Sequence, residues 1–386
     1  MRVIHVYRTY FPDSQGGIEE LIRQICLDTK SRGIDNRLLA LSANARPRVL
    51  RHNEVKVYRA HRDLEVASCG MSLQAFAMHE RLAEWADLIH YHFPWPFGDV
   101  LNLTCRIKRP TVLTYHSDIV RQRVLRLLYR PVMHRFLRNV DRIVGTSPNY
   151  FATSDVLRRF QDKVEIVPIG LNERTYPKVC PRIRARMRDR YGEGFFLFIG
   201  VLRYYKGLHI LLDACAGAPF RVVIAGSGPT ERELLDQAQR LRLDNVDFTG
   251  YVSNEEKVAL LSLCRGVVFP SYLRTEAFGV ALLEGAMYSK ALISTEAGSG
   301  TSHVNIGGET GLAVAPGSPL ALRQAMDRIH DCPEMAAAMG RRARQRFERF
   351  FTGDRMGERY DAIYRSLGHE AIDVHQRRSN GAPIGR

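Results

Sequence analysis

Two carboxylates eight residues apart, Glu276 and Glu284, bound the second half of the segment Pro270-Ser271-Tyr272-Leu273-Arg274-Thr275-Glu276-Ala277-Phe278-Gly279-Val280-Ala281-Leu282-Leu283-Glu284. An apolar run ends at Phe269 and a helical pattern begins near Phe278. One carboxylate therefore stands where the helix starts and the other about two turns in. At about 1.5 Å per residue they are roughly 12 Å apart, the reach of one extended ligand. Between them the N–H groups of Phe278, Gly279 and Val280 fall at a helix N-terminus, which binds phosphate well. A phosphate flanked by hydroxyl-binding carboxylates describes a nucleotide sugar. The spacing alone fits equally an ordinary loop and an amphipathic helix with two surface glutamates.

The elements around this segment alternate. Val3–Tyr7 reads as a strand, followed by a loop holding Gly16 and Gly17 and a helix from about Ile18. Short apolar runs then recur to Ile169, among them Leu88–His92 and Thr111–Tyr115. The pattern breaks in a charged, Pro-containing stretch and restarts at Phe195–Gly200, with further strands at Arg221–Gly226, Gly266–Phe269 and Ala291–Ser294. Strand–helix alternation is the mark of a parallel sheet. The expected architecture is α/β with two Rossmann-like domains facing a central cleft, ligands binding at strand carboxyl ends. The expected boundaries are an N-terminal domain over 1–175, a linker over 176–190 and a C-terminal domain over 191–353. A helix over 354–370 is expected to pack back on the first domain, with a mobile tail over 371–386.

Composition narrows the class. The chain has 386 residues, 45% hydrophobic and 25% charged, which suits two soluble globular domains. No apolar run is long enough to cross a membrane, and the N-terminus lacks the apolar core of a signal peptide. Seven scattered cysteines without a C-x-x-C pair argue against a disulfide framework or a Cys-rich zinc site and suit a reducing compartment. The formal charge of +15 is uneven: residues 1–190 hold 33 basic and 19 acidic side chains (+14), and residues 191–386 hold 23 and 22 (+1). A basic first half points to an anionic partner.

Taken together, the segments resemble the retaining glycosyltransferases of the GT-B fold, in the large family 4 (group 1). Residues 276–284 resemble that family's E-x7-E motif. Gly16-Gly17 resembles its Gly-rich loop, and Thr114-Tyr115-His116-Ser117-Asp118 its T-x-H-x-D segment. Gly200-Val201-Leu202-Arg203-Tyr204-Tyr205-Lys206-Gly207 resembles its G-x-L…K-G segment, and Ala225-Gly226-Ser227-Gly228-Pro229 its G-x-G-P loop. The likeness runs over residues 1–365. It implies that Glu284 hydrogen-bonds the nucleotide ribose, that Glu276 and His116 lie beside the transferred sugar, and that Arg203 and Lys206 neutralise the diphosphate. Gly226, Phe278, Gly279 and Val280 would bind the donor, and Gly16 and Gly17 would let the backbone approach the donor phosphates or the acceptor. Many relatives carry Arg directly after the first Gly of the G-x-L segment, where this chain has Val201, so Arg203 is expected to cover that role. Asp118 reads either as a partner of His116 or as a helix cap.

The resemblance also implies chemistry without a cofactor, the nucleotide sugar being substrate. No metal ligands are expected, since the chain has no Asp-x-Asp pair of the kind that holds Mn²⁺ or Mg²⁺ in the other glycosyltransferase fold. Residues 9–17 and 295–302 look like bacterial mannosyl- and rhamnosyltransferases that build lipopolysaccharide O-antigen. A GDP-sugar donor, mannose first, and a polyprenyl-diphosphate-linked glycan acceptor follow as expectations. The run from Arg121 to Arg142 has seven Arg against one acidic residue, interleaved with Leu125, Leu127, Leu128, Val132, Phe136 and Leu137. Such a basic amphipathic stretch suits an anionic membrane surface, or equally a core-packed helix with a solvated face. The reading is of a cytoplasmic protein on the inner face of the membrane. A UDP-sugar donor, an epimerase and a phosphorylase are alternatives on the same fold. The pI near 9.7 also admits nucleic-acid binding, but no helix-turn-helix, RRM or zinc-finger pattern accompanies it, and none is expected.

Overall fold

A computed structural model describes all residues except 15, 53–54, 120–122 and 380–386. The chain divides into two compact units. The first holds Met1–Thr146, Ser154–Pro168 and the chain from Gly353 on; the second holds Ser147–Thr153 and Ile169–Thr352.

The first unit is built on eight strands: β1 Arg2–Val6, β2 Asp35–Ser42, β3 Val49–His52, β4 Val55–His61, β7 Leu88–Phe93, β8 Thr111–Tyr115, β9 Arg142–Gly145 and β10 Val164–Ile166. A small hairpin, β5 Leu64–Val66 and β6 Cys69–Met71, stands apart. The sheet order is β10-β9-β8-β7-β1-β2-β4-β3, parallel except for the β3–β4 edge. Strands β7 and β8 are buried throughout, as expected for central strands covered on both faces. One consequence is unusual. Alternation places His90 and His92 of β7 on one face, and the register sets His5 opposite His90 and Thr114 opposite His92. The helix Gly353–Ser379 covers part of that face, Tyr360 and Tyr364 being fully buried there. It approaches the helix Gly17–Lys30 closely, since a Cβ at Gly357 would stand 2.6 Å from Cβ of Asp28.

The second unit holds six parallel strands: β11 Phe196–Ile199, β12 Val222–Ala225, β13 Val246–Gly250, β14 Gly266–Phe269, β15 Ala291–Thr295 and β16 Gly311–Val314. Their order is β13-β12-β11-β14-β15-β16. Counted from the first strand of the unit this is 3-2-1-4-5-6, the doubly wound arrangement whose order reverses between β11 and β14. Phe196, Phe198, Val222, Ile224, Val268 and Ile293 form its buried centre.

Three expectations change. The stretch expected as a linker over 176–190 contains a helix, Pro181–Tyr191, that belongs to the second unit. Pro181 opens it and Gly192 (φ 79°) ends it. Its five arginines hide an apolar stripe at Ile183, Met187 and Tyr191, spaced by four, of which Met187 and Tyr191 are buried. The tail expected to be mobile from 371 is helical through Ser379; residues 380–386 lie outside the described residues. The basic stretch beginning at Arg121 lies partly outside them too, and forms the helix Arg123–Asn139. Its second half is core: Met133, Phe136 and Leu137 are buried. Leu125, Leu127 and Leu128 are exposed in its first half.

Candidate active site

Glycines join three loops at the carboxyl ends of β11, β12 and β14. Gly226 adopts φ 141°, and a Cβ there would lie 2.0 Å from the carbonyl oxygen of Gly200. A Cβ on Gly207 (φ 71°) would lie 2.1 Å from that of Pro270. No other residue fits such contacts in the left-handed region. The backbone amides of Leu202 and Tyr272 then donate to the carbonyls of Ser227 and Tyr205 across the loops. The G-x-L…K-G, G-x-G-P and E-x7-E segments are thus one structure at the reversal of strand order, where ligands bind in such sheets.

Within this structure Lys206 pairs with Glu276 through Nζ and Oε2. Both side chains are mostly buried, 13% and 12% exposed. The ammonium also lies 4.6 Å from the ring centre of Phe269, an attractive arrangement for a cation. Ser271 Oγ reaches the same Glu276 oxygen at 3.5 Å. Arg203 is exposed and has no carboxylate partner among the described residues. The helix begins at Val280 rather than Phe278, with Gly279 (φ 89°) as its N-cap. Phe278 and Gly279 therefore belong to the loop, and Phe278 buries its ring. The N–H groups of Phe278, Gly279 and Val280 meet no acceptor among the described residues, as an anion-binding terminus requires.

Glu284 lies on the first turns of that helix and is 5% exposed. Its Oε1 accepts from Lys257 Nζ at 2.7 Å and from Tyr176 OH at 2.9 Å. Its other oxygen has no partner among the described residues. Lys257 and Tyr176 were not legible as site residues. They arrive from segments 27 and 108 positions away, and no local pattern marks them.

In the first unit Gly16 is the N-cap of the helix Gly17–Lys30 and its φ of −163° is ordinary extended backbone. Glu19, at the start of that helix, accepts from Thr9 and Ser14 hydroxyls at 2.8 and 2.9 Å. His116 follows β8 and is 4% exposed. Its hydrogen-bond partner is not Asp118 but His92, with Nε2 3.1 Å from His92 Nδ1. Asp118 Oδ1 instead accepts from Tyr115 OH at 2.8 Å and Ser154 Oγ at 2.9 Å. Loss of hydration lowers the His116 pKa to about 3 and that of His5 to about 4. Nitrogens of His5, His90 and His92 all lie within 4.8 Å of one another, close enough for one metal ion. Each ring is already engaged by its neighbours: His5 with Asn36 and His92, His90 with Thr114 and Tyr364.

Known proteins agree with these features. The chain matches the family described as Glycosyltransferase Family 4 over residues 15–174 and that described as Glycosyl transferases group 1 over residues 181–346. It is 52% identical to the D-rhamnosyltransferase WbpZ of Pseudomonas aeruginosa, over 91% of this chain and 92% of that protein. It is 44% identical to the O-antigen chain mannosyltransferase C of Escherichia coli, over 95% and 99%. A sucrose-phosphate synthase from Thermosynechococcus elongatus superposes with a TM-score of 0.78 at 22% identity, over 95% and 98% of the chains. Two Rossmann-like units, glycine-joined loops at a strand reversal and whole-length relatives of one activity lead to one conclusion: the chain belongs to the group 1, family 4 glycosyltransferases, has the GT-B fold and is a glycosyltransferase.

Proposed function

We propose that the chain transfers a hexose, mannose first and rhamnose second, from a GDP-sugar to a polyprenyl-diphosphate-linked glycan in O-antigen or related polysaccharide synthesis. The loop cluster of the second unit carries this reading. It presents Lys206, Arg203 and three N–H groups without acceptors to an anion, and two carboxylates to hydroxyls. The two relatives named for rhamnosyl and mannosyl transfer support the choice of sugar.

In this reading the donor diphosphate takes Lys206 from Glu276, and Glu276 turns to the sugar. Glu284, held by Lys257 and Tyr176, keeps one oxygen for the ribose. The bond from the anomeric carbon to the phosphate oxygen breaks as charge gathers on the leaving diphosphate. Fixed cations and amide dipoles stabilise that charge without a metal. The acceptor hydroxyl joins the anomeric carbon on the same face, and its proton passes to the departing phosphate, so configuration is retained. His116 contributes from the sugar side.

No helix among the described residues is long and apolar enough to cross a membrane. The exposed Leu125, Leu127 and Leu128, on a helix rich in arginine, suit a peripheral site on an anionic surface, at the cytoplasmic face of the membrane. The test is incubation of the purified protein with separate GDP- and UDP-sugars and a synthetic polyprenyl-diphosphate glycan. Mass and NMR should show one added hexose in α-linkage from the GDP-sugar.

A further inference from the structure

Three histidines and an asparagine form a continuous buried chain in the first unit. Asn36 on β2 meets His5 on β1 (Oδ1 to Nε2, 3.2 Å), His5 meets His92 on β7 (Nδ1 to Nε2, 3.1 Å), and His92 meets His116 after β8 (Nδ1 to Nε2, 3.1 Å). Asn36, His5, His92 and His116 are 4%, 0%, 2% and 4% exposed. His5 and His92 stack at 19° between planes, and His92 and His116 at 13°.

The direction of every hydrogen bond along the chain follows from its closed end. Thr29 donates its hydroxyl proton to Ile25 O at 2.6 Å, so its oxygen is left to accept. Asn36 Nδ2 donates to that oxygen at 3.0 Å and to Cys26 O at 3.1 Å. The amide group of Asn36 is therefore fixed, with its carbonyl oxygen facing His5. An amide oxygen accepts and does not donate, so His5 carries its proton on Nε2. Neutral His5 then accepts at Nδ1, which requires the proton of His92 on Nε2. By the same step His92 accepts at Nδ1 from His116 Nε2–H. The one ring nitrogen of the three left without a partner among the described residues is His116 Nδ1, and it is bare.

We propose that Asn36, His5 and His92 are positioning residues that fix His116 as a neutral ring with its proton on Nε2 and a bare Nδ1 that accepts a hydroxyl of the donor sugar. The chain is not a proton wire. A proton taken up at His116 Nδ1 and passed from ring to ring would arrive at Asn36, which cannot accept it. Desolvation disfavours a charged ring at every link. His5 and His92 of the chain, with His90 beside them, have the spacing that a metal site would need, and the nitrogens of all three are engaged in hydrogen bonds.

The inference rests on the proposed place of His116 beside the donor sugar, and the test separates the two. The ring nitrogens of ¹⁵N-histidine-labelled protein, without substrate and at pH 7, report which nitrogen of each ring carries hydrogen. The expected pattern is protonated Nε2 and bare Nδ1 for His5, His92 and His116. His5→Leu removes the acceptor that orders His92, so a fraction of His116 should appear protonated on Nδ1. Its kcat should fall roughly tenfold, the scale on which partners that orient an imidazole act, with KM for the nucleotide sugar unchanged. His5→Asn restores an acceptor at the Nδ1 position and should restore both the pattern and kcat. A proton on Nδ1 of wild-type His116, a charged ring, metal-bound nitrogens on adding Zn²⁺, or a His116 pattern unmoved by His5→Leu would overturn the chain's polarity. A moved pattern with unchanged kcat would establish that polarity and overturn the place of His116 at the sugar.

Discussion

Lowering the pH from 7 to 5 should destabilise the first unit by several kcal/mol and the second, which holds a single such ring among the described residues, much less. In an unfolded chain histidine takes up a proton near pH 6.5. In the folded first unit His5 and His79 hold their pKa near 4 and His116 near 3, while His90 and His92 lie well below the ordinary value. Desolvation is the leading cause for all five. Below pH 6.5 the unfolded chain therefore binds more protons than the folded one, and stability falls with pH. The contribution is complete above pH 6.5 and is lost progressively as pH falls toward the folded values. Between pH 7 and 5 His5, His79 and His116 each cost about 2 kcal/mol, roughly 6 kcal/mol together, and His90 and His92 act in the same sense. Asp99 acts in the opposite sense. Burial raises its carboxyl well above the usual range, so the folded chain keeps a proton that the unfolded chain releases. That offsets part of the loss over the same interval. A net loss of several kcal/mol is comparable to the whole stability of a domain, about 5–15 kcal/mol. Both tryptophans, Trp85 and Trp95, lie in the first unit, so urea unfolding followed by tryptophan fluorescence reads that unit. Among the described residues the second unit has one such ring, His303, held near pH 4. His79→Gln should remove about 2 kcal/mol of the loss. Equal unfolding free energies at pH 7 and 5 by fluorescence would refute the claim that these rings stay neutral.

Other outcomes follow from the same geometry. Glu276→Ala and Lys206→Ala should each lower kcat at least about 100-fold, some 2.7 kcal/mol of barrier, with circular dichroism unchanged; full activity in either would remove that pair from the site. Gly207→Ala places a Cβ against Pro270 O in a left-handed conformation and should cost roughly 3 kcal/mol, lowering Tm by roughly 6–12 °C. Tyr364→Phe deprives buried His90 Nδ1 of its 2.7 Å partner and should cost roughly 1–3 kcal/mol in fluorescence-detected unfolding.

Much of the fold was legible because the strands are short apolar runs bounded by turn residues. Thr111–Tyr115 and Gly266–Phe269 form the strands read from sequence. The helix Pro181–Tyr191 was not, because five arginines in eleven residues mask an apolar stripe only three residues long. For the helix Arg123–Asn139 the membrane-surface and core-packed readings were open over the whole stretch, since the arginines are spread evenly through it; its second half is core and its first half exposes Leu125, Leu127 and Leu128. At the site, the residues of the glycine-rich loops and of the E-x7-E segment were legible as short patterns. Their mutual contacts were not, being set by Cβ-free approaches such as Gly226 on Gly200. The histidine chain had a local trace that single-residue reading passes over. His90-x-His92 and Thr114-x-His116 have the period of a strand face, and the register of β1, β7 and β8 joins them to His5. Asn36 carries no such trace, for its role depends on how Thr29 and Cys26 orient its amide.

Hexosyl transfer from a GDP-sugar by the second unit's loop cluster is the proposed reaction. Its most direct measurement is product formation from GDP-mannose and GDP-rhamnose, beside UDP-sugars, on a polyprenyl-diphosphate glycan, for wild type and Glu276→Ala. Wild type should form a single α-linked hexose from a GDP-sugar, and the variant should form it at least about 100-fold more slowly. Transfer from UDP-sugars alone, a β-linked product, or equal rates for the two proteins would contradict it.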